Sequence, residues 1–425
     1  MTFDNLNLLP QILTSLKAKG YTIPTPIQEK SIPHILEGKD ICGSAQTGTG
    51  KTAAFALPIL QLLFTSKAHQ RKGIKALILA PTRELAQQIS DSFREYGRGL
   101  HLRHVVIYGG VSQHGQTNAL RSGVDIVIAT PGRLLDLMNQ GYVHLNAIEF
   151  FVLDEVDRML DMGFINDIKK IIAKLPAKKQ TIFFSATMPG EIKKLSYTLL
   201  HHPVIVQTSS TITAATSVKQ FVYFVSRENK KALLKHIIDG QEKPHVLVFM
   251  RTKRGADKLV KTLLAEGVKA EAIHGDKSQG ARQKALEKFK RRTVSMLVAT
   301  DVASRGLDIT DISHVINFNL PEDAETYIHR IGRTGRAGAA GISISFCSHD
   351  ERNLLRDINK LAKNNIEVVS THPFSAPQSH SAPRHEHKQN TNTNPNQERR
   401  FVPRRNNSSS NTNWRGKRSN DRSYR

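Results

Sequence analysis

The stretch HRIGRTGR at 329–336, together with AQTGTGKT at 45–52, decides how this chain of 425 residues is organised. The earlier stretch is a glycine-rich loop ending in Lys-Thr, which can surround a chain of phosphates with backbone N–H groups. The later stretch carries Arg333 and Arg336, whose spacing allows two guanidinium groups to reach one anion. A phosphate loop in one half and paired arginines in the other predict a nucleotide bound between two domains. Closure of such a cleft would couple hydrolysis to work.

The overall charge indicates a polyanionic partner. The formal net charge is +24, and neutralisation of phosphates supplies most of the non-specific affinity of proteins for nucleic acids. Composition leaves two alternatives open, a merely soluble basic surface and binding to an anionic membrane. No apolar run approaches the roughly 18 residues of a membrane-spanning helix, and the first residues lack the pattern of a signal peptide.

The cysteines indicate the compartment. Cys42 and Cys347 lie far apart and lack the spacing of metal ligands. We interpret both as small buried residues in a reducing environment. The sequence therefore predicts a cytoplasmic protein with no structural metal and no membrane attachment.

Short apolar runs without clean alternation recur twice along the chain, which is typical of strands buried on both faces of a parallel sheet. The first series is Asp40–Ser44, Lys75–Ala80, His104–Tyr108, Asp125–Ala129, Phe150–Leu153 and Thr181–Ser185. The second series is Gln220–Val225, Val246–Phe249, Ala270–His274, Ser295–Ala299, Val315–Phe318 and Ile342–Phe346. We predict an α/β fold of two successive units. Its expected parts are an N-terminal segment 1–29, a domain 30–207, a linker 208–218, a domain 219–372 and a tail 373–425.

The tail differs from the rest of the chain in composition. Residues 376–425 contain no Leu or Ile, and they carry eleven Lys or Arg against three Asp or Glu. Such a segment cannot bury enough apolar surface to fold alone, so we expect a disordered basic tail. Trp414 and Tyr424 lie among arginines and could stack on bases, while a solvated extension without that role is the alternative.

The glycine-rich loop lies between a predicted strand and a run that favours a helix, which is the context of a P-loop. In that context Lys51 contacts the β- and γ-phosphate oxygens, and the Thr52 hydroxyl contacts Mg²⁺. The strict pattern begins with Gly, whereas this chain has Ala45. A chance glycine loop is the alternative reading.

The sequence DEVD at 154–157 closes a predicted strand, so its carboxylates lie at the ligand-binding edge of the sheet. Asp154 suits the Mg²⁺ shell through a water molecule, and Glu155 is placed to polarise an attacking water. Three carboxylates this close are costly without a cation, which favours a metal ion. A solvated acidic turn is the alternative.

A segment with two prolines, GYTIPTPIQ at 20–28, precedes the phosphate loop. The prolines stiffen the segment and fix the direction of Gln28. A Gln amide matches the donor and acceptor on one edge of adenine. Taken alone, such a segment is more often a surface turn.

These motifs occur in the order found in the DEAD-box RNA helicases, which the chain resembles over roughly residues 1–370. The further motifs that carry the resemblance are PTRELAQQ at 81–88, Gly109-Gly110, TPGR at 130–133, Ser185-Ala186-Thr187, VLVFMRT around Phe249, Gln279 to Arg282 and ATDVASRGLDI at 299–309. The resemblance implies two RecA-like domains with parallel sheets, ATP hydrolysis with Mg²⁺, and RNA bound across both domains. The tail also resembles that of the bacterial RhlE-like branch.

The resemblance implies a role for each matching residue. The ATP-binding set is Phe3, Tyr21, Gln28, Ala45, Gln46, Thr47, Gly48, Thr49, Gly50, Lys51, Thr52, Arg305 and Asp308. Hydrolysis would use Lys51, Asp154, Glu155, Arg333 and Arg336, the metal would be held by Thr52 and Asp154, and coupling would use Asp157, Ser185, Thr187 and His329. The RNA-facing set is Pro81, Thr82, Arg83, Gly110, Thr130, Arg133, Arg251, Gln279, Arg282 and Thr300. The small residues and backbone amides in the RNA-facing set allow close approach to a sugar–phosphate chain without reading bases.

One departure from the family pattern is Val156, where the motif has Ala; Ser304 is a milder one. The extra methyl groups of Val156 are expected to change its packing against Ser185-Ala186-Thr187 or HRIGRTGR, and therefore the coupling of hydrolysis to RNA strand separation. The resemblance therefore predicts ATP-dependent RNA strand separation or remodelling of RNA–protein complexes, with ribosomal or RNA-decay complexes as possible partners. An ATP-regulated RNA clamp that only times release is the main alternative, and a DNA translocase is a third.

Overall fold

The chain forms two parallel β-sheets. The computed structural model describes residues 1–45, 48–66, 73–207, 218–240, 244–301, 309, 312–335, 341–362 and 366–375. We call residues 1–207 lobe 1 and residues 218–375 lobe 2. The predicted linker up to residue 217 and the basic tail from residue 376 lie outside the described residues. No described helix is long and apolar enough to cross a bilayer.

Lobe 1 is built around one sheet of seven parallel strands. Its strands are β1 (Ile41–Ser44), β2 (Ala76–Leu79), β3 (His104–Ile107), β4 (Ile126–Ala129), β5 (Phe150–Leu153), β6 (Gln180–Ser185) and β7 (Val204–Gln207). Its helices are α1 (Pro10–Ala18), α2 (Pro26–Leu36), α3 (Lys51–Thr65), α4 (Arg83–Tyr96), α5 (His114–Arg121), α6 (Pro131–Asn139), α7 (Val156–Asp161), α8 (Ile165–Ile172) and α9 (Gly190–Leu199).

Lobe 2 contains a second sheet of seven parallel strands. Its strands are β8 (Val218–Phe224), β9 (Val246–Phe249), β10 (Ala270–Ile273), β11 (Met296–Ala299), β12 (His314–Asn317), β13 (Gly341–Cys347) and β14 (Ile366–Val369). Its described helices are α10 (Lys230–Asp239), α11 (Lys253–Ala265), α12 (Gln279–Lys290), α13 (Ala324–Ile331) and α14 (Arg352–Leu361).

The two sheets have the same strand order. Lobe 1 reads β3-β4-β2-β5-β6-β1-β7, and lobe 2 reads β10-β11-β9-β12-β13-β8-β14. Each strand of lobe 2 therefore occupies the place of the strand seven positions earlier in the chain. The predicted α/β fold of two similar parallel units is confirmed.

Burial on both faces explains why the strands lack alternation. In β2, Ala76 and Ile78 join the apolar cluster on one face of the sheet, whereas Leu77 and Leu79 join the cluster on the other face. All four residues are fully buried. Successive side chains of a strand point to opposite faces, so a strand covered by helices on both faces must be apolar throughout.

Every predicted strand overlaps an observed one, but the prediction omits β7 and β14. Both lie at one edge of their sheets, opposite β3 and β10, and among the described strands β7 pairs with β1 alone and β14 with β8 alone. Ile205 in β7 and Val368 in β14 are more than half exposed. Edge strands are short and partly solvated, so they lack the continuous apolar run by which the buried strands were recognised.

The N-terminal segment packs on lobe 1. Phe3, Leu6, Ile12, Leu16 and Ile27 belong to the same apolar cluster as the helices α3 and α4. Helix α2 spans the predicted boundary between residues 29 and 30. This packing holds the segment containing Gln28 against the phosphate loop.

Candidate functional site

The strand order sorts the predicted site residues into two groups. The phosphate loop follows β1, DEVD follows β5 and Ser185-Ala186-Thr187 ends β6, and these three strands are neighbours in the sheet. Because parallel strands present their carboxyl ends at one edge, the three motifs converge there. The RNA-facing residues of lobe 1 instead follow β2, β3 and β4, the three neighbouring strands on the other side of the same edge.

The phosphate loop leads directly into helix α3. Gly48 and Gly50 have φ of 85° and 89°, values that L side chains rarely adopt. Lys51 begins α3, and its buried ammonium group donates to the carbonyl oxygen of Ala45 at 2.9 Å. Contact of this ammonium group with phosphate oxygens stays a prediction. Gln46 and Thr47 lie outside the described residues.

Gln28 joins its own segment to the phosphate loop. Its Nε2 donates to the carbonyl oxygen of Gly50 at 3.0 Å, and its Oε1 accepts from the backbone N–H of Thr25 at 2.9 Å. A Cβ atom at Gly50 would lie 2.4 Å from Nε2 of Gln28, so a side chain at this position would displace the Gln28 amide and would also be strained by the positive φ. Phe3 is buried, whereas Tyr21 is 40% exposed. Adenine contact by any of the three residues stays a prediction.

Asp154 has the environment of a cation ligand. Its side chain is buried, and Oδ1 accepts no hydrogen bond from any residue that the structure describes. The Lys51 ammonium nitrogen lies 3.8 Å from that oxygen. Burial raises the pKa of Asp154, and the nearby carboxylate of Glu155 raises it further, while Lys51 opposes both effects. An unsatisfied oxygen in such surroundings suits a divalent cation or the water that the cation carries.

Glu155 lies at the turn between β5 and α7 in a left-handed backbone conformation. Its φ and ψ are both 55°, which is uncommon for a residue with a side chain. Such a conformation costs about 1–3 kcal/mol and persists where the surroundings enforce it. The buried carboxylate of Glu155 accepts from Nη1 of Arg158 at 2.5 Å.

Asp157 connects DEVD to Ser185-Ala186-Thr187. Its Oδ2 accepts from the backbone N–H groups of Ala186 and Thr187 at 3.0 and 2.8 Å. Ser185 completes the network, because its hydroxyl accepts from the N–H of Asp157 at 3.2 Å and donates to the carbonyl oxygen of Thr187 at 2.7 Å. The structure thus brings together three of the four predicted coupling residues.

The fourth coupling residue, His329, belongs to α13 of lobe 2. Burial, which has the largest effect, and the positive charge of Arg158 in lobe 1 together lower the pKa of His329 to about 4. The imidazole is therefore neutral near pH 7. Arg333 is buried in the same region, and both residues line a small cavity between the lobes together with Arg158. Arg336, Arg305 and Asp308 lie outside the described residues.

Glu84 of lobe 1 connects the lobes on the RNA side of the sheets. Its Oε1 accepts a hydrogen bond from Nε2 of Gln279 and pairs with Nη2 of Arg282, and both distances are 2.9 Å. All three side chains are buried. The sequence analysis did not identify Glu84, although it lies within PTRELAQQ next to Arg83.

Comparison with known proteins agrees with this geometry. The model of the DEAD/DEAH box helicase family matches residues 25–195, and that of the helicase conserved C-terminal domain matches residues 229–338. The ATP-dependent RNA helicase CshA of Limosilactobacillus reuteri is 44% identical over 363 residues, which cover 85% of this chain and 72% of that protein. The chain belongs to the DEAD-box helicase family.

Solved structures of this family resemble both lobes together. The structure of S. cerevisiae Dbp5 bound to RNA and ADP BeF3 has a TM-score of 0.76 and 29% identity, and the match covers 87% of this chain and 95% of that one. Mss116p bound to ssRNA and AMP-PNP has a TM-score of 0.78 and 30% identity, with 88% of this chain and 80% of that one covered. Two RecA-like lobes are therefore shown for this DEAD-box protein.

The predicted RNA-facing residues of this DEAD-box protein follow neighbouring strands in both lobes. In lobe 1, Pro81 to Arg83 follow β2, Gly110 follows β3, and Thr130 and Arg133 follow β4. In lobe 2, Arg251 follows β9, Gln279 and Arg282 follow β10, and Thr300 follows β11. Those two groups of strands are each contiguous at the corresponding side of their sheets.

Several of these residues have structural roles within their own lobe. Thr82 caps α4, since its hydroxyl accepts from the N–H of Leu85 at 3.2 Å. Nη1 of Arg133 donates to the carbonyl oxygen of Val111 at 3.4 Å, and Nη2 of Arg251 donates to Glu351 at 3.4 Å. The contact of each residue with RNA stays a prediction.

Arg330 and Asp301, which the sequence analysis did not identify as site residues, form an ion pair within lobe 2. Arg330 forms two hydrogen bonds with the carboxylate of Asp301, at 2.6 and 2.7 Å, and its guanidinium lies 4.9 Å from the Phe249 ring centroid. Arg330, the first arginine of HRIGRTGR, therefore forms its contacts within lobe 2 and links α13 to the residues that follow β11. The motif alone does not distinguish this arginine from the two after it.

Val156 lies inside lobe 1. The side chain is fully buried in the apolar cluster that contains Leu153, Met159 and Phe183. Its additional methyl groups therefore pack in the core beneath the active edge. The effect of this packing on coupling stays a prediction.

Proposed function

We propose that this DEAD-box protein couples closure of its two lobes around ATP and RNA to local separation of RNA strands. It is an ATP-dependent RNA helicase, and its enzymatic activity is RNA-stimulated ATP hydrolysis. One observation carries the proposal. The lobes meet on both sides of the sheet edge, through Glu84 beside the RNA-facing residues and through Arg158, His329 and Arg333 beside the carboxylates.

On the nucleotide side, each residue has one role in the proposed reaction. Lys51 binds phosphate oxygens, and Thr52 and Asp154 hold Mg²⁺, which neutralises charge on the phosphates when it is bound. Glu155 orients the attacking water, and its carboxylate receives the proton of that water. Arg333 of lobe 2 stabilises the charge that develops on the transferred phosphoryl group, together with Arg336. This division of residues makes hydrolysis depend on closure.

On the RNA side, the proposed contacts address the backbone of the strand. Helix N-termini and short polar side chains follow β2 and β4, and such groups suit phosphates rather than base edges. RNA held across both lobes would be bent at the shared groove, so one strand of a short duplex would be lost. Little dependence on base sequence is expected.

The cellular setting belongs to the same proposal. We propose a cytoplasmic location, with ribosomal or RNA-decay complexes as the partners that supply structured RNA. The basic composition of the chain supports a ribonucleoprotein context, because phosphate neutralisation favours association with any exposed RNA.

The decisive experiment compares RNA with DNA of the same sequence as activators of ATP hydrolysis, and it measures displacement of a short duplex strand with and without ATP. We expect stimulation by RNA alone and ATP-dependent displacement of the RNA strand. Equal stimulation by DNA would contradict the RNA specificity. Stimulation by RNA with no strand displacement would instead support the RNA clamp.

A further inference from the structure

Arg158 lies immediately after DEVD and contacts the residue proposed to orient water. Its Nη1 lies 2.5 Å from Oε2 of Glu155, and both side chains are 4% exposed. Glu155 precedes the first turn of α7 and Arg158 is the third residue of that helix, so the pair spans the strained turn itself. The ion pair fixes the direction of a carboxylate whose backbone is in the left-handed region.

The same guanidinium faces lobe 2. Arg158 lines the small cavity between the lobes beside His329 and Arg333, and its charge acts on the imidazole of His329. Its backbone N–H also donates to Oδ1 of Asp157 at 3.1 Å. Arg158 therefore contacts the carboxylates of Glu155 and Asp157 and lines the same cavity as Arg333 of lobe 2.

A purely structural purpose does not account for this arginine. Removing a guanidinium and a carboxylate from water costs several kcal/mol per ion, and an apolar pair of similar volume often packs as well or better. The first turn of α7 needs no arginine, because Met159 and Val156 already anchor it in the apolar cluster of lobe 1. A buried ion pair at this place is explained by what it does to Glu155.

We propose that Arg158 is a positioning residue that holds the Glu155 carboxylate in its hydrolytic orientation and joins that orientation to the lobe 2 surface around His329 and Arg333. The inference rests on the role of Glu155 in the proposed function. It assigns Arg158 to the chemical step and leaves ATP binding and RNA binding to other residues. Loss of Arg158 therefore lowers kcat rather than raising KM.

The test measures steady-state ATP hydrolysis of the full chain at saturating RNA, with Arg158→Gln and Arg158→Lys compared with the parent. Glu155→Gln is the reference for loss of the water-orienting carboxylate, and Arg121→Gln, an exposed arginine of the same lobe, is the matched control. RNA affinity in the presence of ADP and beryllium fluoride, and the thermal midpoint of each variant, are measured alongside.

We expect Arg158→Gln to lower kcat at least tenfold, with the KM for ATP and the RNA affinity within about threefold of the parent. Arg158→Lys should regain part of the loss, because an ammonium group still pairs with the carboxylate. Arg121→Gln should match the parent.

Two results would overturn the inference. The first is a kcat within twofold of the parent in Arg158→Gln while Glu155→Gln is inactive. The second is a joint loss of kcat, RNA affinity and thermal midpoint in Arg158→Gln that Arg158→Lys does not relieve, which is the behaviour of a structural ion pair. Retained turnover in Glu155→Gln itself would instead refute the proposed role of Glu155, and the inference would fall with it.

Discussion

At the scale of single residues, the edge of the lobe 1 sheet that carries DEVD buries three carboxylates, which would be unfavourable without partners that balance their charge. Asp154, Glu155 and Asp157 are all buried, and each is balanced differently. Lys51 lies near Asp154, Arg158 pairs with Glu155, and backbone N–H groups satisfy Asp157. Because the three carboxylates have separate partners, a substitution at one of them should affect one step of the cycle.

We expect Glu155→Gln to abolish ATP turnover while ATP-dependent RNA binding persists or tightens. The amide keeps the size of the carboxylate but cannot accept the proton of the attacking water, whereas Lys51 and Asp154 still bind phosphate and metal. Turnover is measured with saturating RNA, and RNA binding with and without ATP. Turnover near the parent rate would show that another group orients the water.

Glu84 gives a second prediction at this scale. We expect Glu84→Gln to weaken RNA binding about tenfold in the presence of a non-hydrolysable ATP analogue, because the buried Arg282 loses its charged partner and a hydrogen bond to a charged group contributes roughly 1.5–3 kcal/mol. RNA binding without nucleotide should change little, since open lobes do not use this contact.

The control for Glu84 is Glu95→Gln on the same helix, where the carboxylate pairs with Lys19 at the surface. Fluorescence anisotropy of a labelled RNA measures both affinities for each variant. Equal weakening with and without nucleotide would mean that Glu84 supports lobe 1 itself rather than closure.

At the scale of elements, a buried ion pair ties helix α10 to the end of strand β13 in lobe 2. The ammonium group of Lys230 donates to the carbonyl oxygens of Phe318 and Phe346 at 2.9 and 3.1 Å, and to Glu351 at 2.5 Å. Glu351 also accepts from the N–H of Leu320 at 3.3 Å. Burial lowers the pKa of Lys230, and the adjacent carboxylate of Glu351 opposes that shift. The pair therefore stabilises lobe 2 only while both partners are present.

We expect Lys230→Met to reduce the stability of lobe 2 by about 3 kcal/mol, because it removes the nearest cation from the buried carboxylate of Glu351 and leaves that carboxylate the longer contact with Arg251 at 3.4 Å. Addition of Glu351→Gln should recover part of the loss, since the amide still accepts a hydrogen bond but carries no charge. Lys231→Met, an exposed neighbour on the same helix, serves as the control.

Hydrogen exchange of the full chain measures this effect lobe by lobe. Peptides from α10 and β13 should exchange faster in Lys230→Met, and peptides from lobe 1 should be unchanged. Faster exchange of equal size in Lys231→Met would mean that the helix, and not the ion pair, determines the stability.

At the scale of the whole molecule, the catalytic groups are divided between two lobes that each have their own sheet and apolar core. Lobe 1 carries the phosphate loop and DEVD, and lobe 2 carries Arg333. We expect a fragment of residues 1–207 to fold and to bind nucleotide weakly, with no stimulation of hydrolysis by RNA. The reason is that the fragment lacks Arg333, Arg336 and four of the ten predicted RNA-facing residues.

The fragment is tested by nucleotide titration and by ATPase assays across a series of RNA concentrations, with the full chain measured in parallel. Circular dichroism establishes that the fragment is folded. Full RNA-stimulated activity from the fragment would contradict the model of a cleft that closure completes.

The sequence by itself determined the two repeated units, the buried strands and the motif residues of each lobe. Burial on both faces makes strands such as β2 continuously apolar, and the phosphate loop requires glycine where φ is positive, so both leave a local trace. The edge strands β7 and β14 leave a weaker trace because they are partly solvated, and they were missed.

Only the tertiary structure decided which motifs become neighbours. Strand order places β1, β5 and β6 side by side and separates them from β2, β3 and β4, and no local pattern encodes that order. Glu84 and Gln279 are 195 residues apart, and Arg330 meets Asp301 across a lobe. The sequence shows the charge of each residue but not its partner. A buried ion needs a counterion, and long-range packing determines which oppositely charged residue lies close enough.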